Sequence, residues 1–219
     1  MEKFITVKGI GRISVKPDLT ILSLGIETID LDFDRSIKLA GKRSDAFRAA
    51  IAKSGLAKDV LKTSEFTIDK AYHYETVKFN DQKKVFDGWK CFHLLKVEFP
   101  HDVRQLTRVL HFVAESGVET SVEVDFSISD PVRVTDALLA DAAKNARRKA
   151  ETLCAALDAK LGKLVKIDYD WSEISIISQT KSRAMFDRAP IPRGVFSEPE
   201  IDPENIRISD SATFVWEIG

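Results

Sequence analysis

The stretch from Val122 to Asp170, VEVDFSISDPVRVTDALLADAAKNARRKAETLCAALDAKLGKLVKIDYD, decides the class of fold. Its first residues alternate: Val122, Val124, Phe126 and Ile128 face one way, and Glu123, Asp125, Ser127 and Ser129 the other. That period of two belongs to a strand with one packed and one wet face. Pro131 ends the strand and suits the first turn of a helix, where its missing N–H costs nothing. The spacing then predicts a long helix over about 132–160, with Leu139, Ala142, Ala143, Ala146, Ala150, Leu153 and Leu157 on one stripe and Gly162 at its end. The small residues at its centre permit close approach to a sheet. A further strand is expected around Leu164–Tyr169.

Working back towards the start, Ile5 and Val7, then Ile13 and Val15, alternate with polar neighbours, and the glycines between them predict a hairpin bent at Gly9 and Gly11. Pro17-Asp18 opens a turn, and Leu22, Leu24 and Ile26 mark the next strand. Asp34 is the expected N-cap of a first helix whose face is Ile37, Ala40, Ser44, Phe47 and Ile51, with Gly55 at its C-terminal cap. Two strands are predicted at about 61–75 and 88–99, with the polar run Asn80–Lys84 as the exposed tip of a long hairpin. A short helix turns Leu106, Val109, Leu110 and Val113 inward and stops at Gly117. The chain closes on a strand carrying Phe214, Trp216 and Ile218 on one face.

Between these last elements lies a stretch, about 178–205, that holds Pro190, Pro192, Pro199 and Pro203 together with Met185, Phe186, Ile191, Val195 and Phe196. It is too apolar for a linker and reads as an irregular arm packing on its own body or on a neighbouring subunit. Strands and helices are mixed but the hairpins are antiparallel. The expected class is therefore α+β: antiparallel sheets carrying two shorter helices and one long one. A single domain over residues 1–219 is expected, with two related β-α-β lobes sharing one core as the open variant.

The bulk composition restricts function more than it defines it. The 219 residues carry 33 basic and 34 acidic side chains, so no global field draws nucleic acid or anionic lipid. No nucleic-acid partner is expected, and no apolar run approaches the ~18 residues of a membrane span. The opening MEKFITVKGIG lacks the ~7–15-residue apolar core of a signal peptide, so the chain as written is expected to be cytoplasmic. Cys91 and Cys154 form no CxxC pair; one disulfide or two buried thiols both fit.

Candidate chemistry is sparse. Gly9-x-Gly11 is followed by more strand, not by a helix, so it does not make a dinucleotide loop. His73, His93, His101 and His111 show no HxxH, HxxxH or HExxH spacing, although His73 and His93 sit on neighbouring predicted strands. No serine sits in a GxSxG elbow. The pairs Asp168/Asp170 and Asp30/Asp32 read as solvated charges, and Lys144, Arg147, Arg148 and Lys149 as a basic helix face. No catalytic, cofactor-binding or metal-ligating residue is assigned, no cofactor is expected, and an enzyme is the less favoured reading. The one candidate interface is aromatic: Tyr72, Tyr74, Phe86, Trp89 and Phe92, all on the long hairpin.

Read together, ITVKGIGRISVKPD and LTILSLGIET at the start, SGLAKDVLKTSEFTID, VEVDFSISD and the run ADAAKNARRKAETLCAALDAKLGKLVKID resemble the landmarks of the SIMPL-domain family, in order and over nearly the whole chain. Gly9, Gly11, Pro17, Asp18, Gly55 and Gly162 fall on its structural positions. The resemblance implies a bacterial protein of unestablished biochemistry, commonly periplasmic or of the cell envelope, with proposed stress-related roles and no catalytic residues to carry over. It also implies self-association, as some members build large rings or barrels. The expectation is a non-enzymatic, homo-oligomeric scaffold or envelope-associated protein; the alternative is a small-molecule-binding or enzymatic domain whose site forms only in three dimensions, and no such ligand is identified.

Overall fold

A computed structural model describes residues 3–78, 81–170, 176–180, 182–186 and 201–219. The fold is α+β. Among the described residues the strands are β1 (Lys3–Val15), β2 (Leu19–Asp30), β3 (Lys62–Lys78), β4 (Asp81–Pro100), β5 (Thr120–Ser127), β6 (Leu161–Asp168), β7 (Ser182–Phe186) and β8 (Ile206–Ile218). The helices are α1 (Phe33–Lys53), α2 (Val103–Glu115) and α3 (Pro131–Ala156). The strands form a three-stranded sheet in the order β1-β8-β6 and a five-stranded sheet in the order β3-β4-β2-β5-β7.

The chain divides into two units, each with its own apolar core. One comprises Met1–Pro17, Ser127–Gln179 and Pro203–Gly219. Here β1 pairs antiparallel with β8 without interruption from Lys3 opposite Ile218 to Val15 opposite Ile206. The predicted hairpin at Gly9 and Gly11 is therefore one continuous strand, and the two glycines serve another purpose. A Cβ on Gly9 would strike the carbonyl oxygen of Ala142 and lie 2.8 Å from the Ala146 Cβ; one on Gly11 would strike the Leu138 carbonyl. Glycine here admits the α3 backbone against the sheet.

Helix α3 supplies the matching small surface. Its buried residues are Leu138, Ala142, Ala146, Ala150 and Cys154, spaced by four. They pack on Val7, Ala212, Phe214 and Trp216 of the sheet, with Ile128, Ile206 and Ile208 beside Leu138 in an adjoining cluster. The expected stripe was right in its alanines but wrong at both ends: Leu138 is the buried leucine in place of Leu139, and Leu153 is 49% exposed and Leu157 78%. The helix stops at Ala156, with Asp158 at φ 52°, rather than at Gly162. Gly162 lies inside β6, where a Cβ would sit 2.9 Å from the Glu217 carbonyl oxygen.

The other unit comprises Asp18–Phe126 and Thr180–Asp202. Strand β4 lies between β3 and β2 and pairs antiparallel with both. One face of the sheet presents Leu22, Leu24, Ile26, Leu95, Val97, Val122, Val124 and Phe126. Phe47 and Ile51 of α1 and Leu106, Val109 and Val113 of α2 close over it. Each such side chain, fully buried, contributes about 1.5–3 kcal/mol of transfer free energy. The cap of α1 is Asp32, two residues before the expected Asp34: its carboxylate accepts from the Arg35 N–H at 2.9 Å. Asp102 caps α2 in the same way, through the Arg104 N–H. Gly55 and Gly117 follow the two helix ends at φ 93° and 65°, a backbone conformation for which glycine carries the least strain.

Two expectations about length change. The hairpin strands run to Lys78 and from Asp81, so most of the polar run 80–84 is strand, and Asn80 lies outside the described residues. The supposed irregular arm begins with β7, which pairs antiparallel with β5 from Thr120 opposite Phe186 to Val124 opposite Ser182. Arg183 meets Glu123 at 2.8 Å across that pairing. The sequence alternation of β5 is thus real, but its polar face is partly engaged by the arm. Pro190, Pro192 and Pro199 lie outside the described residues.

Candidate interaction surface

Strand β3 is an edge of the five-stranded sheet. Its pairing with β4 is interrupted at three places, between Thr63 and Glu65, Ala71 and Tyr72, and Thr76 and Lys78. Bulges of this kind twist an edge and discourage the addition of a foreign strand. The backbone edge is guarded; the side-chain face is not.

Register determines that face. Phe66 stands opposite His93, Ile68 opposite Cys91, Lys70 opposite Trp89, Tyr72 opposite Phe86 and Tyr74 opposite Lys84. Opposed residues share a face, and His93 and Cys91 belong to the face that α1 covers. Beyond the start of α1 the same face continues without a helix over it. There Phe33, the first residue of α1, meets Trp89 edge-on at 5.1 Å, Trp89 meets Phe86 at 6.3 Å and Phe86 meets Tyr72 at 5.6 Å. Lys84 lies 4.0 Å over the Tyr72 ring and Lys70 5.3 Å from that of Trp89.

These rings form a ladder with T-shaped steps, each worth about 0.5–1.5 kcal/mol beyond the area it buries. They remain open to solvent: Phe33 is 42% exposed, Tyr72 41%, Tyr74 62% and Phe86 39%. Phe92 is not part of the ladder. It pairs with Glu27 and Thr67 and, by alternation from Cys91 and His93, belongs to the opposite face. Gly88, at φ 131°, brings β4 against β2: a Cβ there would lie 2.5 Å from the Asp30 carbonyl oxygen. Phe33 escaped sequence reasoning because it sits in a helix far from the hairpin in the chain; only the fold brings it to Trp89.

The histidines are each occupied separately. His73 stands opposite Val85, far from His93 along the hairpin, so the two do not meet. Its Nδ1 donates to Asp87 and its Nε2 lies 3.2 Å from Glu75. The hydrogen bonds to these carboxylates raise its pKa. His93 is buried, its Nε2 2.9 Å from the Thr63 hydroxyl and its Nδ1 without a partner. Burial, followed by the nearby Arg48 charge, lowers its pKa. His101 Nδ1 pairs with the Thr20 hydroxyl at 2.9 Å, and His111 with Glu115 at 3.4 Å.

Three of the four paired carboxylates have local partners. Asp30 accepts from the Asp32 N–H at 2.8 Å, Asp32 caps α1, and Asp168 pairs with Lys166 at 2.6 Å. Cys91 and Cys154 are both buried free thiols. Among the described residues no group of three His, Cys, Asp or Glu side chains is placed to hold a metal ion. No described helix is long and apolar enough to cross a membrane.

Fold and surface together define an α+β protein in which the most extensive feature on the hairpin is an uncovered aromatic face. The chain belongs to the SIMPL family, described as a protein of unknown function (DUF541), whose model matches residues 5–216. It is similar to the 26 kDa periplasmic immunogenic protein of Brucella melitensis biotype 1, at 27% identity over 195 residues, covering 85% of this chain and 75% of that protein. The protein of the same name from Brucella abortus is similar to the same extent.

Proposed function

We propose that this chain is a non-catalytic scaffold of the cell envelope that associates with copies of itself through the aromatic face of the β3–β4 hairpin. The carrying observation is the ladder Phe33–Trp89–Phe86–Tyr72, which continues a core face past the helix that would otherwise cover it. At about 200 Å² per aromatic side chain, the exposed parts of Phe33, Tyr72, Tyr74 and Phe86 amount to roughly 400 Å². That is at the size of patch that marks interaction sites. It is also about half of the ~800 Å² per partner of a standard interface, so the contact extends past the rings to Lys70 and Lys84, which lie over them.

A second copy is the occupant because the surface suits itself. Lys70 and Lys84 lie over aromatic rings of their own chain, and the same cation–ring pairing is available across a two-fold axis. The guarded edge of β3 fits the same reading, since it disfavours open-ended strand addition and leaves a side-chain contact to set the geometry. The envelope location is supported by the name of the Brucella relatives, which calls them periplasmic.

The test is a concentration series in sedimentation velocity on the protein and on a Tyr72→Glu/Phe86→Glu variant, with circular dichroism confirming that the variant folds. The variant should sediment as a monomer at concentrations where the unaltered protein is associated. Identical association of both would refute the aromatic contact.

A further inference from the structure

The unit built on β1, β6, β8 and α3 carries a second candidate surface. A groove of about 540 Å³ opens between the β1 edge and the polar side of α3, lined by Arg12, Asp141, Lys144, Asn145, Arg148 and Lys149. Its size is that of a small-molecule site. Its polar groups fall into two sets.

The first set holds the groove together. Asn145 Oδ1 accepts from the Ile10 N–H at 3.1 Å and Asp141 Oδ2 from the Arg12 N–H at 3.0 Å, while Lys149 Nζ donates to the Lys8 carbonyl at 2.9 Å. These bonds occupy the outward backbone groups of β1, an edge of its sheet, and consume one oxygen of the only carboxylate in the groove. The second set is unspent: Arg12, Lys144 and Arg148 make no ion pair with any described residue. Arg147, the neighbour on α3, points elsewhere and pairs with Glu151 at 2.9 Å. Four cations against one carboxylate leave three positive charges facing a single cavity.

We infer that this groove binds a small anion carrying two or more phosphate groups. Two guanidinium forks, one from β1 and one from α3, match phosphate oxygens in pairs, and the two ammonium groups add point charges. The surplus of three charges suits an oligophosphate better than a single phosphate. Arg12 also lines an adjoining depression of about 390 Å³ with Ser14, Arg207 and Ser209, which lengthens the basic track along the strands. An anion longer than pyrophosphate gains from Arg207.

The experiment is isothermal titration of the purified chain with orthophosphate, pyrophosphate, tripolyphosphate and citrate, at about 20 mM and about 200 mM NaCl. Tripolyphosphate should bind tightest and orthophosphate weakest, with affinity falling at the higher salt. Arg12→Ala and Arg148→Ala should each weaken tripolyphosphate about tenfold, the scale of one charge-assisted hydrogen bond, and Arg147→Ala should leave it unchanged. Circular dichroism on each variant separates lost binding from lost fold. Three results overturn the inference: no heat with any phosphate probe, equal loss in Arg147→Ala, or citrate binding as tightly as tripolyphosphate.

Discussion

Replacing Gly9 and Gly11 by alanine asks whether α3 and β1 are held at the distance the structure shows. Neither glycine has a positive φ, so alanine suits the backbone at both. On conformational grounds alone each change would stabilise by about 0.4–1 kcal/mol through the unfolded chain. The packing predicts the opposite sign. The new Cβ at Gly9 would lie 2.8 Å from the Ala146 Cβ and 3.0 Å from the Ala142 carbonyl carbon, and at Gly11 3.0 Å from the Ala142 nitrogen. Carbon atoms rest at about 3.5–4.0 Å, and the Ala142 and Leu138 carbonyl oxygens stand closer still, so α3 must back away by roughly 1 Å, a gap that forfeits about half of the dispersion across the contact. Overpacking of this kind costs about 1–3 kcal/mol, and an expected net loss is about 2 kcal/mol for each single variant. Because one helix displacement relieves both clashes, the double variant should lose less than the sum of the two. Urea unfolding of the two single variants and the double variant measures all three terms. Stabilisation by either alanine, or strict additivity, would refute the close-packed seam.

His73 and His93, whose pKa values shift in opposite directions, should pull stability in opposite directions with pH. His73, its pKa raised by Asp87 and Glu75, stabilises fully below the unfolded value of 6.5 and loses that contribution as pH rises through its higher folded value. His93, lowered chiefly by burial, contributes nothing unfavourable above 6.5 and destabilises as pH falls below it. Urea midpoints followed from about pH 5 to 8 should therefore lose their alkaline slope in His73→Gln and their acid slope in His93→Leu; slopes unchanged by either substitution would contradict the assignment. Cys91 and Cys154 should both resist a thiol reagent in the native protein and both react in urea, with burial also raising the Cys91 pKa and suppressing its thiolate. Fewer than two thiols released on unfolding would show a bridge that the structure does not contain.

What the sequence made legible was whatever one face of one element decides. The alternation of Val122, Val124 and Phe126 and the three-and-four spacing of Ala40, Ser44, Phe47 and Ile51 led directly to a buried strand face and a buried helix face, whereas Ile128, read on the same strand face, lies beyond β5 and packs with Leu138 of α3. Where a residue answers to a partner distant in the chain, the reading failed. Gly9 and Gly11 read locally as a bend, whereas the need for glycine comes from the α3 backbone some 130 residues further on. Leu153 and Leu157 extended the helical stripe by pattern, but the buried stripe steps by four to Cys154, which leaves Leu153 off it, and the helix ends at Ala156, before Leu157. The aromatic candidates were legible as a group on one hairpin, and the register then divided them: Phe92 went to the other face and Phe33 joined from α1. The basic cluster on α3 divided likewise, Arg147 turning to Glu151 while Arg148 joined Arg12 at the groove. A cavity between a strand edge and a helix leaves no motif in either segment.

Self-association through the hairpin is tested most directly by the solution mass of the unaltered protein, from light scattering after size exclusion. A discrete mass at a whole multiple of the 24.6 kDa chain is the predicted result. A single species at 24.6 kDa, unchanged up to high protein concentration, would contradict it.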